Sequence, residues 1–103
     1  MTEQKTPPTP DELKASGQEL LGYVAMYLKS ERTRAGLTQD DIATRTAMSR
    51  AWVSKTESGN NAALPSLAMY AAAMDLQLAF IVAQAEAAME AFHRGYERRR
   101  SAE

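Results

Sequence analysis

The fold is decided by the stretch Gly36-Leu37-Thr38-Gln39-Asp40-Asp41-Ile42-Ala43 and its continuation Met48-Ser49-Arg50-Ala51-Trp52-Val53-Ser54-Lys55-Thr56-Glu57-Ser58-Gly59. Thr38 and Ser49 stand where a side-chain hydroxyl caps the N-terminus of a helix. Asp41 is three residues after Thr38, the spacing of a capping box. Gly59 is typical of a residue that ends a helix. The stretch therefore predicts two short helices joined by a tight turn, the arrangement of a DNA-reading helix-turn-helix.

The composition favours one small helical domain. The chain has 103 residues, of which 45% are hydrophobic, and these are largely Ala, Leu and Met, which favour helix over sheet. There is no cysteine, which excludes disulfides and thiolate metal sites. No apolar run approaches the roughly 18 residues of a membrane span. We therefore expect a cytoplasmic protein that does not bind membranes.

Charge is distributed unevenly along the chain. The net charge of −1 argues against nucleic-acid binding through bulk charge. Between Lys29 and Glu57, however, the sequence has six basic residues and four acidic ones. The small local excess of positive charge coincides with the segment in which a DNA-binding surface is expected.

The remaining helices follow from hydrophobic spacing and helix breakers. Residues 1–11 contain three prolines and predict a flexible arm. A first helix is expected from Pro10 or Asp11 to Arg34, either continuous or broken near Gly17 and Gly22. A fourth helix fits 64–74. Together these elements predict a DNA-binding domain over residues 12–76.

The segment 77–83 predicts a short strand. Leu78, Phe80 and Val82 are two residues apart, which places them on one face of an extended chain, and the segment ends in aromatic and β-branched residues. A single strand needs a partner for its backbone groups, and the same strand of a second copy would supply one. We therefore expect these three residues at a dimer interface. The alternative is one continuous helix from Pro65 to Arg99. Residues 84–103 predict a C-terminal helix and tail that closes the dimer or holds a partner.

From about Tyr27 to Val82 the chain resembles the Cro/repressor-type helix-turn-helix family, also called the XRE family. The framework Leu-Thr-Gln…Ile-Ala…Ser-Arg…Val-Ser-Lys…Glu-x-Gly carries this resemblance. The continuation through 61–67 and 74–82 resembles HipB- and HigA-type antitoxins, in which a short apolar strand follows the last helix. The resemblance implies a mainly α, lambda-repressor-like bundle with a C-terminal strand paired across a dimer. The family core does not explain the helical extensions before Lys14 and after Ala83.

The resemblance also assigns roles to residues. Gln39 would contact a phosphate and brace the third helix. Arg50, Ala51 and Lys55 would face base edges, where Arg can pair with guanine and Ala can contact a thymine methyl group. The other expected DNA contacts lie along the flank of that helix, at its cap and in the loop after it: Ser49, Trp52, Ser54, Asn60 and Asn61. Arg32 and Glu57 match the family's internal ion pair.

Three positions depart from the family pattern. Ala47 stands where the turn usually has glycine, so either a left-handed residue costs more here or the turn differs. Thr56 replaces a large apolar residue, which predicts a less firmly anchored third helix. Trp52 is bulky for its position, and we expect it to be exposed because Val53 fits the buried position better.

The sequence thus predicts a homodimeric repressor that binds an inverted repeat of double-stranded DNA. The resemblance implies the antitoxin of a type II toxin-antitoxin pair, which would bind a toxin and regulate its own operon. The alternatives are a protein-interaction module and a non-antitoxin regulator with the same fold. No set of residues typical of an enzyme, a metal site or a cofactor site is present.

Overall fold

The computed structural model describes residues 6–59 and 63–102, with side chains through Arg98. Within these ranges the chain is helical and contains no strand. The mainly α fold predicted from the sequence is confirmed. The helices, in chain order, are α1 (Pro10–Arg34), α2 (Gln39–Thr46), α3 (Arg50–Ser58), α4 (Leu64–Ala73) and α5 (Leu78–Ala102).

The predicted caps set the beginnings of the two central helices. The Thr38 hydroxyl accepts a hydrogen bond from the Asp41 N–H at 3.0 Å, and the Asp41 carboxylate accepts one from the Thr38 N–H at 2.7 Å. At α3, the Ser49 hydroxyl accepts from the Trp52 N–H at 3.0 Å. Backbone donors that a helix leaves unpaired are thereby satisfied at both N-termini.

A glycine in a left-handed conformation follows each of α1 and α3. Gly36 and Gly59 adopt left-handed conformations, with φ of 76° and 75°, which glycine reaches without strain. A Cβ at Gly59 would also lie 3.1 Å from the Cα of Gly22, so the end of α3 approaches α1 closely. The possible break in α1 at Gly17 or Gly22 does not occur, and the helix runs through both.

The prediction of a strand at 77–83 is wrong, because α5 begins there. Its inward residues recur at helical spacing: Ile81 and Ala85 are buried, and Leu78 and Val82 pack against the core. Phe80, which the strand would have placed beside Leu78 and Val82, is 61% exposed. Residues 77–83 fit the apolar spacing of a strand and also that of a helix, and the alanines that follow favour a helix. Because α5 satisfies its own backbone groups, the argument for a dimer through strand pairing no longer applies.

The continuous helix considered as the alternative is not present either. The chain turns between α4 and α5, where Asp75 adopts a left-handed φ of 59°. The two helices are bent by 114° relative to one another. Among the described residues no single helix is long and apolar enough to cross a membrane, and only α4 and α5 taken together as a bent pair meet the criteria of length and composition.

The core lies where the four N-terminal helices meet the first turns of α5. α1 packs against α5, α3 and α4, and α2 packs against α3 and α4. The structure is elongated, with extents of 54 × 27 × 22 Å, because α1 and α5 continue beyond the core side by side. The largest fully buried side chains are Tyr70, Leu28, Ile42, Leu67, Ile81, Val24 and Val53.

Candidate nucleic-acid interface

The helix α3 presents one polar face to solvent. Arg50, Ala51, Ser54 and Lys55 are all exposed, and their spacing places them on neighbouring turns of the same side. The structure thus brings together the predicted base-reading residues. Val53 lies on the opposite side, fully buried in the core, as the sequence predicted.

Thr56 and Trp52, which depart from the family pattern, are both accommodated by contacts within α3 and with the core. Thr56 is buried, and its hydroxyl donates to the Trp52 carbonyl oxygen at 2.8 Å, so the polar group in the core is satisfied. Trp52 is half-buried and packs against the core cluster, which differs from the exposed position expected. Its burial supplies anchoring for α3 that Thr56 was expected to lack.

The turn between α2 and α3 keeps the usual geometry without glycine. Ala47 adopts a left-handed conformation with φ of 58°, which costs an alanine about 1–2 kcal/mol. The turn is held by a hydrogen bond from the Met48 N–H to the Ala43 carbonyl oxygen at 3.0 Å. Of the two possibilities for this position, the structure has the strained left-handed residue.

A hydrogen-bonded group around Glu57 fixes α3 to the other helices. Arg32 of α1 binds the Glu57 carboxylate through Nε at 2.6 Å and Nη2 at 3.2 Å. Gln39 of α2 donates to the same carboxylate at 3.0 Å, and the Tyr70 hydroxyl of α4 donates as well. Arg32 also donates to the Leu37 carbonyl oxygen at 2.8 Å. One carboxylate on α3 is therefore bound by α1, α2 and α4.

The Arg32–Glu57 pair that the resemblance implies is present, and it is part-buried. The Glu57 side chain is only 4% exposed, so burial by itself would raise the pKa of its carboxyl group. The hydrogen bonds from Arg32, Tyr70 and Gln39 outweigh burial and hold the pKa of Glu57 below its usual value. The same interactions raise the pKa of Arg32, chiefly through its bond to Glu57.

The sequence did not predict the part that Tyr70 plays here. It is fully buried on α4. Burial and the nearby Glu57 charge raise the pKa of its hydroxyl group well above the usual value, so it remains a donor. The available signal was chemical, since a buried tyrosine hydroxyl usually needs a partner.

Gln39 links the Glu57 group to the exposed face of α3. Its side-chain oxygen lies 3.4 Å from Nε of Arg50, which is also 4.0 Å from the carboxylate of Asp40. The bracing role implied for Gln39 thus has a geometric basis. Within the part of the chain that the structure describes, no acidic side chain pairs with the Lys55 ammonium group.

The other predicted DNA contacts belong to the loop after α3 and to its N-terminal cap. Asn60 and Asn61 fall outside the described residues. Ser49 is exposed at the beginning of α3, where its hydroxyl already serves as the cap. Among residues 6–59 and 63–102, no group of three or more His, Cys, Asp or Glu side chains could hold a metal ion.

Comparison with known protein families identifies the central part of the chain. A family model described as a helix-turn-helix domain matches residues 24–88, more than half of the chain. The match includes α2, α3 and α4 entirely, together with the parts of α1 and α5 that form the core. No curated protein and no solved structure matches the chain significantly.

Proposed function

We propose that this chain, which belongs to the helix-turn-helix domain family, is a sequence-specific repressor that binds an inverted repeat of double-stranded DNA as a homodimer. One observation carries the proposal. The exposed face of α3 bears Arg50 and Lys55, while the same helix is fixed to three other helices through the Glu57 carboxylate. A rigid support with an exposed polar face is what reading a groove requires.

Four exposed residues of α3 have a chemical role in the proposed readout. The Arg50 guanidinium group can donate two hydrogen bonds to a guanine, and the Ala51 methyl group can contact a thymine methyl group. Ser54 can donate to a base or to a phosphate, and Lys55 can neutralise a phosphate or contact guanine. Gln39 would contact a phosphate while it holds Arg50 in position. Specificity would then come from Arg50, Ala51 and Lys55.

A homodimer would contact DNA through two α3 helices, one from each copy. Two α3 helices separated by about 34 Å could enter successive major grooves on one side of the DNA, so the operator would be an inverted repeat. Because the net charge is −1, affinity would depend on a few local phosphate contacts, and it would fall as salt rises.

We further propose that the protein is the antitoxin of a type II toxin-antitoxin pair and represses its own operon. The support is the resemblance of 61–67 and 74–82 to HipB- and HigA-type antitoxins. The strand of those antitoxins is helical here, so the support is sequence alone. An interaction module is the second candidate, and the exposed Leu13, Phe92 and Tyr96 on the long helices favour it.

The test is footprinting of the full chain on the DNA upstream of its own gene, at low and at moderate salt. A protected inverted repeat is expected, and it should be lost when Arg50 and Lys55 are both replaced by Gln. The single variant Lys55→Gln should bind more weakly and reduce the slope of log K against log salt by about two units, because each dimer carries Lys55 twice.

Lys14→Gln is the matched control for Lys55→Gln, because Lys14 is exposed on the part of α1 outside the core. It removes the same charge and should leave protection unchanged. Equal losses in both lysine variants would show that only overall charge matters. Absence of protection at low salt, with a protein partner recovered instead, would favour the interaction module.

A further inference from the structure

Asp40 is an acidic residue at the beginning of α2, beside the exposed face of α3. One of its carboxylate oxygens lies 4.0 Å from Nε of Arg50, and the two side chains are 72% and 69% exposed. The two residues belong to different helices, so the fold brings them together. A negative charge therefore lies within a few ångströms of the residue that is proposed to read guanine.

The cap of α2 does not need Asp40. It is formed by Thr38 and Asp41, whose side chains accept hydrogen bonds from one another's backbone N–H groups. Among the described residues the Asp40 carboxylate accepts no hydrogen bond, and its one ion pair is with Arg50. Its remaining effect on α2 is that of a negative charge in the first turn, which the helix dipole favours slightly. The position of Asp40 thus bears chiefly on Arg50.

Arg50 is approached through Nε, and its two terminal nitrogens are left open. The Gln39 amide group donates to the Glu57 carboxylate at 3.0 Å, and because a carboxylate can only accept, the side-chain oxygen of Gln39 is the atom that accepts from Nε of Arg50. Within residues 6–59 and 63–98, neither Nη1 nor Nη2 of Arg50 has a hydrogen-bond partner. These two groups can supply the paired donors that recognise guanine.

We propose that Asp40 is a positioning residue, which raises the preference of this chain for its operator over other DNA by holding Arg50 where it reads guanine. The inference rests on the proposed function and names a further residue of the same site. In the operator complex, Arg50 bonds to guanine through Nη1 and Nη2 and keeps Asp40 beside Nε. On other DNA, Arg50 reaches a phosphate only by turning away from Asp40. The lost contact is a cost that only the non-specific complex bears.

The charge of Asp40 also acts on the DNA itself. Any base or phosphate bonded to Arg50 lies within one Debye length of Asp40, which is about 10 Å at an ionic strength of about 0.1 M. Repulsion of the phosphates lowers the affinity for every sequence, since phosphate contacts carry no sequence information. The two effects are therefore separable. Repulsion by Asp40 changes affinity, whereas its contact with Arg50 changes the ratio of specific to non-specific affinity.

The experiment measures this ratio with the full chain, on a duplex that carries the protected repeat and on a scrambled duplex of the same length. Asp40→Asn should tighten both complexes and lower the ratio about fourfold, because an exposed ion pair contributes about twofold and a dimer has two copies. Asp40→Glu keeps the carboxylate and should keep most of the ratio. Asp11→Asn is the matched control, because it removes the same charge from an exposed residue in the first turn of α1. It should leave the ratio unchanged.

Nuclear magnetic resonance of the free protein tests the position of Arg50 without DNA. The Nε–H signal of Arg50 should shift in Asp40→Asn, return toward its original place in Asp40→Glu and stay in place in Asp11→Asn. Circular dichroism would confirm that each variant is folded. A ratio that survives Asp40→Asn, or an Nε–H signal that does not respond to it, would overturn the inference. A chain with the expected signals but no preference for the repeat would overturn the proposed function and leave the positioning of Arg50 by Asp40 standing.

Discussion

Replacing Tyr70 with Phe removes one hydroxyl group from the core and tests the Glu57 group directly. In the structure this hydroxyl donates to a carboxylate that is almost fully buried. Hydrogen bonds to charged groups contribute about 1.5–3 kcal/mol, and the ring itself keeps its packing in the variant. We therefore expect Tyr70→Phe to lower the free energy of unfolding by about 2 kcal/mol, or the melting temperature by roughly 8–16 °C for a domain of this size.

The loss should depend on pH in a defined direction. The pKa of Glu57 in the folded protein is held below its usual value of 4.5, so the stabilisation is present above that value and is lost as pH falls through the lower folded-state pKa. Without the Tyr70 hydroxyl the folded-state pKa moves up. The difference between the two proteins should therefore be largest near pH 7 and should shrink on acidification.

Urea unfolding followed by far-ultraviolet circular dichroism measures this difference at both ends of the pH range. Tyr23→Phe is the control, because Tyr23 is half-buried and has no hydrogen bond among the described residues. It should change stability by less than about 0.5 kcal/mol. The reasoning is refuted if Tyr70→Phe behaves like Tyr23→Phe, or if its effect stays constant as pH falls from neutral to the lowest pH at which the protein is still folded.

Three further changes test separate features. Asp40→Asn should tighten DNA binding in a titration at low salt, because it removes an acidic group 4.0 Å from Arg50; unchanged affinity would place Asp40 away from DNA. Gly59→Ala should destabilise the fold in thermal unfolding by more than Gly36→Ala, since both are left-handed but only Gly59 faces a backbone atom at 3.1 Å. Equal losses would contradict that close contact. Ala47→Gly should stabilise the protein by about 0.5–1 kcal/mol in the same assay, because the left-handed conformation favours glycine, and a loss would show that the turn is not strained.

The sequence predicted the central helices well because their signals are local. The cap of α2 needs only Thr38 and Asp41, and the ends at Gly36 and Gly59 need only glycine. These groups lie a few residues apart, so their geometry follows from spacing. The exposed face of α3 was expected from the resemblance, which assigned Arg50, Ala51 and Lys55 to base edges.

Interactions between distant residues were harder to predict. The alternation at 77–83 suited a strand, but contacts of Ile81 and Ala85 with the core determine that the segment is helical. The part played by Tyr70 depends on α4 lying beside α3, which spacing along the chain does not reveal. The Arg32–Glu57 pair was expected only because the resemblance supplied the tertiary arrangement.

The separation of the two sides of α3 bears on how this protein could acquire a new target. Ala51, Ser54 and Lys55 face solvent, whereas Val53 and Glu57 hold the helix in place. Exposed helix positions without buried partners usually tolerate substitution within about 0.5 kcal/mol. A library randomised at the three exposed positions should therefore yield mostly folded proteins, from which variants with altered operator preference could be selected without redesigning the scaffold.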